Sequence, residues 1–180
     1  NTDKSAMGGS GGEVQVDETY TGNTSRRAKN YDPGIGKKYQ VVALVEPSTG
    51  KARAFHIWQG RGMKSEAIRE ILFTNIDRKT TLVTDESKLY RYTGTKHQKV
   101  KHQGGKYVNK EGFTTNNVEN FFGVFKRSMK AHIHCSEQHL QRYVSENAFR
   151  YSNRKVTDFE RAEEALKGIE GKRLTYRRTD

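Results

Sequence analysis

The spacing of apolar residues changes partway along this chain. In Glu13–Tyr20, Val14, Val16 and Glu18 alternate with Gln15, Asp17 and Thr19, the two-residue period of a strand. Tyr39–Glu46 (YQVVALVE) is a nearly continuous apolar run, Pro47–Gly50 is a turn, and Lys51–Trp58 completes a hairpin. Ser65–Phe73 places Ala67, Ile68, Ile71 and Leu72 at helical spacing, and Thr80–Thr84 and Lys96–His102 read as short strands. Beyond them the period is helical throughout. Val118, Phe121, Phe122, Phe125 and Met129 fall at offsets 0, 3, 4, 7 and 11. Ser136 is placed to cap a helix through Ser152, and Asp158–Lys167 predicts a last helix ended by Gly168. Strands joined by turns and followed by amphipathic helices restrict the chain to a sheet with helices packed on it, a mixed α/β domain.

At 180 residues one such domain is expected. Residues 1–12 (NTDKSAMGGSGG) read as a flexible lead-in, 13–156 as the folded domain, and 157–180 as a C-terminal helix with a basic tail. No apolar run reaches the roughly 18 residues a membrane span needs, and no apolar leader opens the chain, so a cytoplasmic protein without a membrane partner is expected. One cysteine, Cys135, excludes an internal disulfide and a four-cysteine zinc site. The formal charge of +12 asks for a polyanionic partner. Ser87–Lys110 is the sharpest basic stretch. It holds Lys88, Arg91, Lys96, Lys99, Lys101, Lys106 and Lys110, has no acid, and interleaves Tyr90, Tyr92, Tyr107, His97 and His102. It reads as a nucleic-acid contact, with lysines on phosphates and aromatics on bases, or as a solvated basic face. Arg26 and Arg27, in the loop after the first strand, have the same two readings.

Against this basic background a few acids stand at strand ends. Asp17 and Glu18 interrupt the first strand, and Asp85 and Glu86 follow Thr80–Thr84. Strand neighbours point to opposite faces, so Asp17 and Glu18 cannot share a site unless the strand bends. With Val14 and Val16 buried, Glu18 lies on their face and Asp17 on the ligand-facing one. Glu119, on the Phe-rich helix, shares a stripe with Lys126, about 10 Å further along the axis. It has a structural reading too, because Asn116 followed three residues later by Glu119 resembles a capping box. Carboxylates grouped in a basic protein suit Mg²⁺ or Mn²⁺, and two such ions can drive phosphodiester chemistry.

Five stretches, VQVDETYTGN (14–23), LVTDESKLY (82–90), HQKVKHQGGKYV (97–108), TTNNVENFFGVFKR (114–127) and SEQHLQRYVSENAFRYSNR (136–154), occur in this order. Together they resemble the DDE-type transposases of small bacterial insertion sequences related to the eukaryotic Merlin elements. The resemblance runs from about Glu13 to Arg154. It implies a ribonuclease H-like domain, a mixed five-stranded sheet flanked by helices. It also implies that Asp17, Asp85 and Glu119 are the catalytic carboxylates and hold two Mg²⁺ or Mn²⁺ ions, with Lys126 as the following helical lysine. Asn116 matches an Asn of the same motif and competes with Glu119 for the third ligand position. His97, His102 and His139 match positions without an assignable role. Phe122 stands where many relatives have Trp. Members usually carry an N-terminal zinc-ribbon or helix-turn-helix region, and the present chain opens on the first catalytic strand instead.

The function expected is metal-dependent DNA end cleavage and strand transfer by a Mg²⁺-dependent polynucleotidyl transferase. Lys96, Lys99, Lys101, Arg127, Arg26 and Arg27 would contact DNA, with a homodimer or larger assembly on it and a nucleoid-associated location. The alternatives are a non-catalytic DNA-binding module of a domesticated transposase and a ribonuclease H-like nuclease.

Overall fold

The structure is a computed structural model that describes residues 5–22, 39–58, 64–85, 88–90, 94–101, 108–132, 135–169 and 171. Its strands are β1 (Glu13–Thr21), β2 (Tyr39–Val45), β3 (Ala52–Ile57), β4 (Thr81–Thr84) and β5 (Lys96–Lys99). The helices are α1 (Ser65–Asn75), α2 (Asn116–Lys130), α3 (Glu137–Ser152) and α4 (Asp158–Lys167), and a 3₁₀ turn spans Lys88–Tyr90. The strands form one five-stranded sheet in the order β3-β2-β1-β4-β5. β1, β2 and β3 are antiparallel neighbours, whereas β4 runs parallel to β1 and β5 parallel to β4.

Both faces of the sheet are covered, which is why β2 reads as an unbroken apolar run and not an alternating one. On one face Val41, Ala43, Val45, Ala52 and Ala54 pack under α2 and α3. The anchors there are Phe121 and Phe125, both fully buried, with Leu140, Val144 and Tyr151 from α3. On the other face Val14, Val16, Val42, Leu44 and Leu82 meet Ile68 and Leu72 of α1. α2 is thus the helix its spacing predicts, with Val118, Phe121, Phe122 and Phe125 buried.

Residues 5–12, expected as part of a flexible lead-in, lie against the turn between α1 and β4. Met7 is buried, pairs its backbone with Ile76, and accepts a hydrogen bond from the Thr80 hydroxyl. Gly8 makes this approach possible. Its φ is +83°, and a Cβ there would sit 2.3 Å from Thr80 Oγ1.

The free edge of β3 is closed by side chains of α3. Gln141 accepts the His56 N–H at 2.7 Å and donates to the Ala54 carbonyl at 3.1 Å. Ser152 Oγ accepts the Ala52 N–H at 2.9 Å. These groups satisfy backbone that an edge strand otherwise leaves to solvent or to another chain.

Candidate active site

β1 and β4 deliver two acids to one place. Their parallel pairing runs through Gln15↔Val83. Asp17 and Asp85, each two residues further on, therefore leave adjacent strands on the same face, with strand axes about 4.8 Å apart. That face is the one under α2, because Asp17 is in register with Ala43 of the α2–α3 core. Glu18, in register with Val42, turns to the α1 side, where its carboxylate accepts a hydrogen bond from the Tyr90 hydroxyl. The separation of Asp17 from Glu18 follows the parity of the strand. The Asp17 face is not open, however. Helices cover it, and Asp17 looks into a cleft at its margin.

Glu119 enters this cleft from the first turn of α2. Asp17, Asp85, Thr115 and Glu119 together line a space of about 290 Å³. The Thr115 hydroxyl donates to Glu119 Oε1 at 2.6 Å. Thr115 is the N-cap of α2 and Asn116 its first helical residue, so Asn116 and Glu119 do not form the capping box their spacing suggests. Asn116 is exposed and does not line the cleft. The three acids repel one another. Burial, followed by the charges of Glu18, Asp85 and Glu119, raises the pKa of the Asp17 carboxyl to about 7, although the Glu18 N–H donates to its Oδ1 at 2.8 Å. A second, larger cleft of about 380 Å³ between β3 and α1 has one acid, Glu70, among the described residues that line it, so the grouped carboxylates are those of the first.

None of the basic residues expected to bind DNA lines this cleft among the described residues. Lys126 and Arg127 are exposed on α2, with Lys126 two turns beyond Glu119. Lys96 and Lys99 are exposed on β5 and Lys101 just past it, but Lys99, in register with Thr84 and two residues from His97, points to the α1 side and not to the face of the acids. Arg26, Arg27 and His102 lie outside the described residues. His97 is in register with Leu82, hence on the α1 side, away from the acids. Its Nε2 lies 2.8 Å from Thr84 Oγ1. The Thr84 hydroxyl donates its own proton to the Asp85 carbonyl, so Nε2 is the donor and Nδ1 carries no proton in the neutral ring. Burial and then Lys99 lower the His97 pKa, which keeps it neutral near pH 7. Tyr90 is fully buried, so it does not stack on bases as its place in the Lys-rich stretch suggests.

Two residues that support the site escape sequence reasoning, Thr115 and Gln15. Gln15 is buried to 1% exposure, and its Oε1 accepts the α2 amides of Asn117 at 3.0 Å and Val118 at 3.3 Å. The available signal was a polar side chain two residues before Asp17, on the same strand face.

Oxygen donors crowded to the point of raising a carboxyl pKa suit a hard divalent cation. Among the described residues no group of three Asp, Glu, His or Cys side chains closes around one point. Mg²⁺ does not require such a cage, since it is ordinarily held by one or two carboxylates and keeps several waters.

A central parallel strand flanked by an antiparallel hairpin, with helices on both faces of the sheet, is a ribonuclease H-like architecture. One solved structure shares this fold, and two others are similar at lower scores. A chain of the simian T-cell lymphotropic virus intasome, solved with the PP2A regulatory subunit B56 gamma, superposes with a TM-score of 0.50 at 12% identity, over 83% of this chain and 54% of that one. The BIV integrase catalytic core matches at 0.48 and 14% identity over 88% and 95% of the two chains. The HTLV-2 integrase catalytic core in complex with magnesium matches at 0.47 and 10% over 81% and 87%. The chain thus spans about half the length of the first of these. Comparison with curated proteins gives no match. The family described as the ISXO2-like transposase domain matches residues 10–152, and the chain belongs to that family.

Proposed function

We propose that this domain carries out metal-dependent cleavage of DNA at the ends of a mobile element and transfer of the freed strand into target DNA. The observation that carries the reading is the convergence of Asp17, Asp85 and Glu119 on one cleft in a transposase-family chain. Asp17, Asp85 and Glu119 would hold the metal through their carboxylate oxygens. When bound, a pair of Mg²⁺ or Mn²⁺ ions supplies activation of the attacking hydroxyl and stabilisation of the leaving oxygen. Thr115 holds the Glu119 carboxylate through its hydroxyl. Lys126 positions the phosphate backbone, and Arg127, Lys96, Lys99 and Lys101 bind further phosphates. In the first step a water oxygen bonds to phosphorus, the bond to the 3′ oxygen breaks, and that oxygen leaves protonated. In the second step the freed 3′-hydroxyl oxygen bonds to phosphorus of a target phosphodiester, the bond from that phosphorus to the target's own 3′ oxygen breaks, and that oxygen leaves carrying the proton the attacking hydroxyl gives up. The work is done on DNA in the nucleoid by a dimer or larger assembly. No helix among the described residues is long and apolar enough to cross a membrane.

The test is cleavage of a labelled duplex carrying the element's end, with Mg²⁺ or Mn²⁺, by the parent and by Asp17→Ala and Asp85→Ala. The parent should cut and the folded variants should not. Parent-level cutting by Asp17→Ala refutes the assignment. An RNA–DNA hybrid assayed beside the duplex separates strand transfer from a ribonuclease H activity.

A further inference from the structure

We propose that Gln15 is a positioning residue for the third carboxylate: it caps α2 from the neighbouring strand and so releases the Thr115 hydroxyl to hold Glu119. The proposal rests on the carboxylate-cleft reading above. An N-cap threonine ordinarily turns its hydroxyl back to accept the second or third amide of its helix. Thr115 makes no such bond. Its hydroxyl donates to Glu119 Oε1 instead. The amides it leaves, those of Asn117 and Val118, are the two taken by Gln15 Oε1. The Asn116 amide goes to Thr114 Oγ1 and the Glu119 amide to the Thr115 carbonyl, so the first turn is satisfied without the Thr115 side chain.

The orientation of the Gln15 amide is fixed by chemistry. Two backbone N–H groups, which only donate, face its Oε1, so Nε2 is the atom that donates to Glu13 Oε1 at 2.9 Å. Gln15 and Asp17 share one face of β1. One strand face therefore presents the first carboxylate and also fixes the start of the helix that carries the third. Register between the two is set by two residues of strand, not by the long connection from β5 to α2.

The experiment measures Mn²⁺ affinity by calorimetry on the full chain, with amide exchange at Asn117 and Val118 as a second readout. The variants are Gln15→Met, Thr115→Val, Thr115→Ser and the Gln15→Met/Thr115→Val double. Gln15→Met should weaken Mn²⁺ binding about tenfold and speed exchange at both amides. Thr115→Val should weaken binding similarly without speeding that exchange, and Thr115→Ser, which keeps the hydroxyl, should bind like the parent. The double should bind within about twofold of the weaker single, because both changes break one chain of hydrogen bonds. Parent-like affinity in a folded Gln15→Met protein, or losses that simply multiply in the double, overturns the proposal. Should Gln15→Met not fold, parent-like affinity in Thr115→Val overturns it. A parent that binds no Mn²⁺, or an Asp17→Asn variant that binds as well as the parent, overturns the metal reading itself and leaves Gln15 a helix cap only.

Discussion

Asp17→Asn should stabilise the metal-free fold, and by an amount that depends on pH. The Asp17 carboxyl is raised from 3.8 to about 7 by burial and by the neighbouring acids. In the unfolded chain that carboxyl loses its proton near its ordinary value, whereas the folded chain holds it until about pH 7. The native state therefore binds more protons across this window, and stability falls as pH rises through it. At about 1.4 kcal/mol for each pKa unit, the rise from 3.8 to about 7 sets a ceiling of about 4 kcal/mol at pH 8. Water entering the cleft and relaxation of the neighbours reduce this to about 2–3 kcal/mol. Asn keeps the shape and the Oδ1 acceptor for the Glu18 amide while removing the charge. At about 2–4 °C per kcal/mol for a domain of this size, the variant should melt about 5–10 °C above the parent at pH 8 in EDTA. Near pH 4 the difference should largely vanish, because the folded protein then holds Asp17 neutral and the unfolded chain is close to its own pKa. Millimolar Mg²⁺ at pH 8 should raise the parent's melting temperature and narrow the gap. Thermal melts followed by circular dichroism at pH 4, 6 and 8 read all of this. A gain that is the same at pH 4 and pH 8, or a loss at pH 8, refutes the account of Asp17 as a charge held against burial and its neighbours.

Other perturbations test other parts of the structure. Phe125→Ala empties a fully buried site between α2 and the sheet and should cost about 3–5 kcal/mol in denaturant unfolding. Gly8→Ala places a methyl against Thr80 at a positive φ and should lower stability by about 1–3 kcal/mol in the same measurement, although Gly8 does not line the acidic cleft. Replacing Lys96 and Lys99 with Ala should weaken DNA binding evenly across sequences and reduce the salt dependence of log K by about one for each phosphate no longer neutralised. An unchanged salt slope would place the DNA elsewhere.

The elements of this fold could be read because their residues repeat a period that burial enforces. The offsets of Phe121, Phe122 and Phe125 give α2, whereas Asp158–Lys167 buries none of its residues and begins at a capping box between Thr157 and Glu160. The order of Asp17, Asp85 and Glu119 along recognisable motifs pointed to the cleft. Their support could not be read in the same way. Gln15 looks like the polar half of an alternating strand, and only the packing of α2 over that face turns it into a cap. Tyr90 stands among lysines in the sequence, but the chain folds its ring into the core with Leu82 and Val16 and its hydroxyl onto Glu18. Met7 sits in a glycine-rich run whose composition suggests mobility, and the hydrogen bond that holds it comes from the distant turn before β4. In each case the deciding partner is far away in sequence, where periodicity carries no information.

The sealing of β3 by Gln141 and Ser152 bears on how copies of this chain can meet. Proteins that gather on adjacent DNA sites reach high local concentration, where an open sheet margin invites continuous strand-on-strand growth. Here one margin is already occupied by the chain's own helix. The opposite margin, β5, is only Lys96–Lys99, with a lysine at each end that would face its own kind. Polymerisation through the sheet is therefore blocked on one side by intramolecular bonds and opposed on the other by charge. Contacts between copies would then fall to surfaces other than the sheet margins.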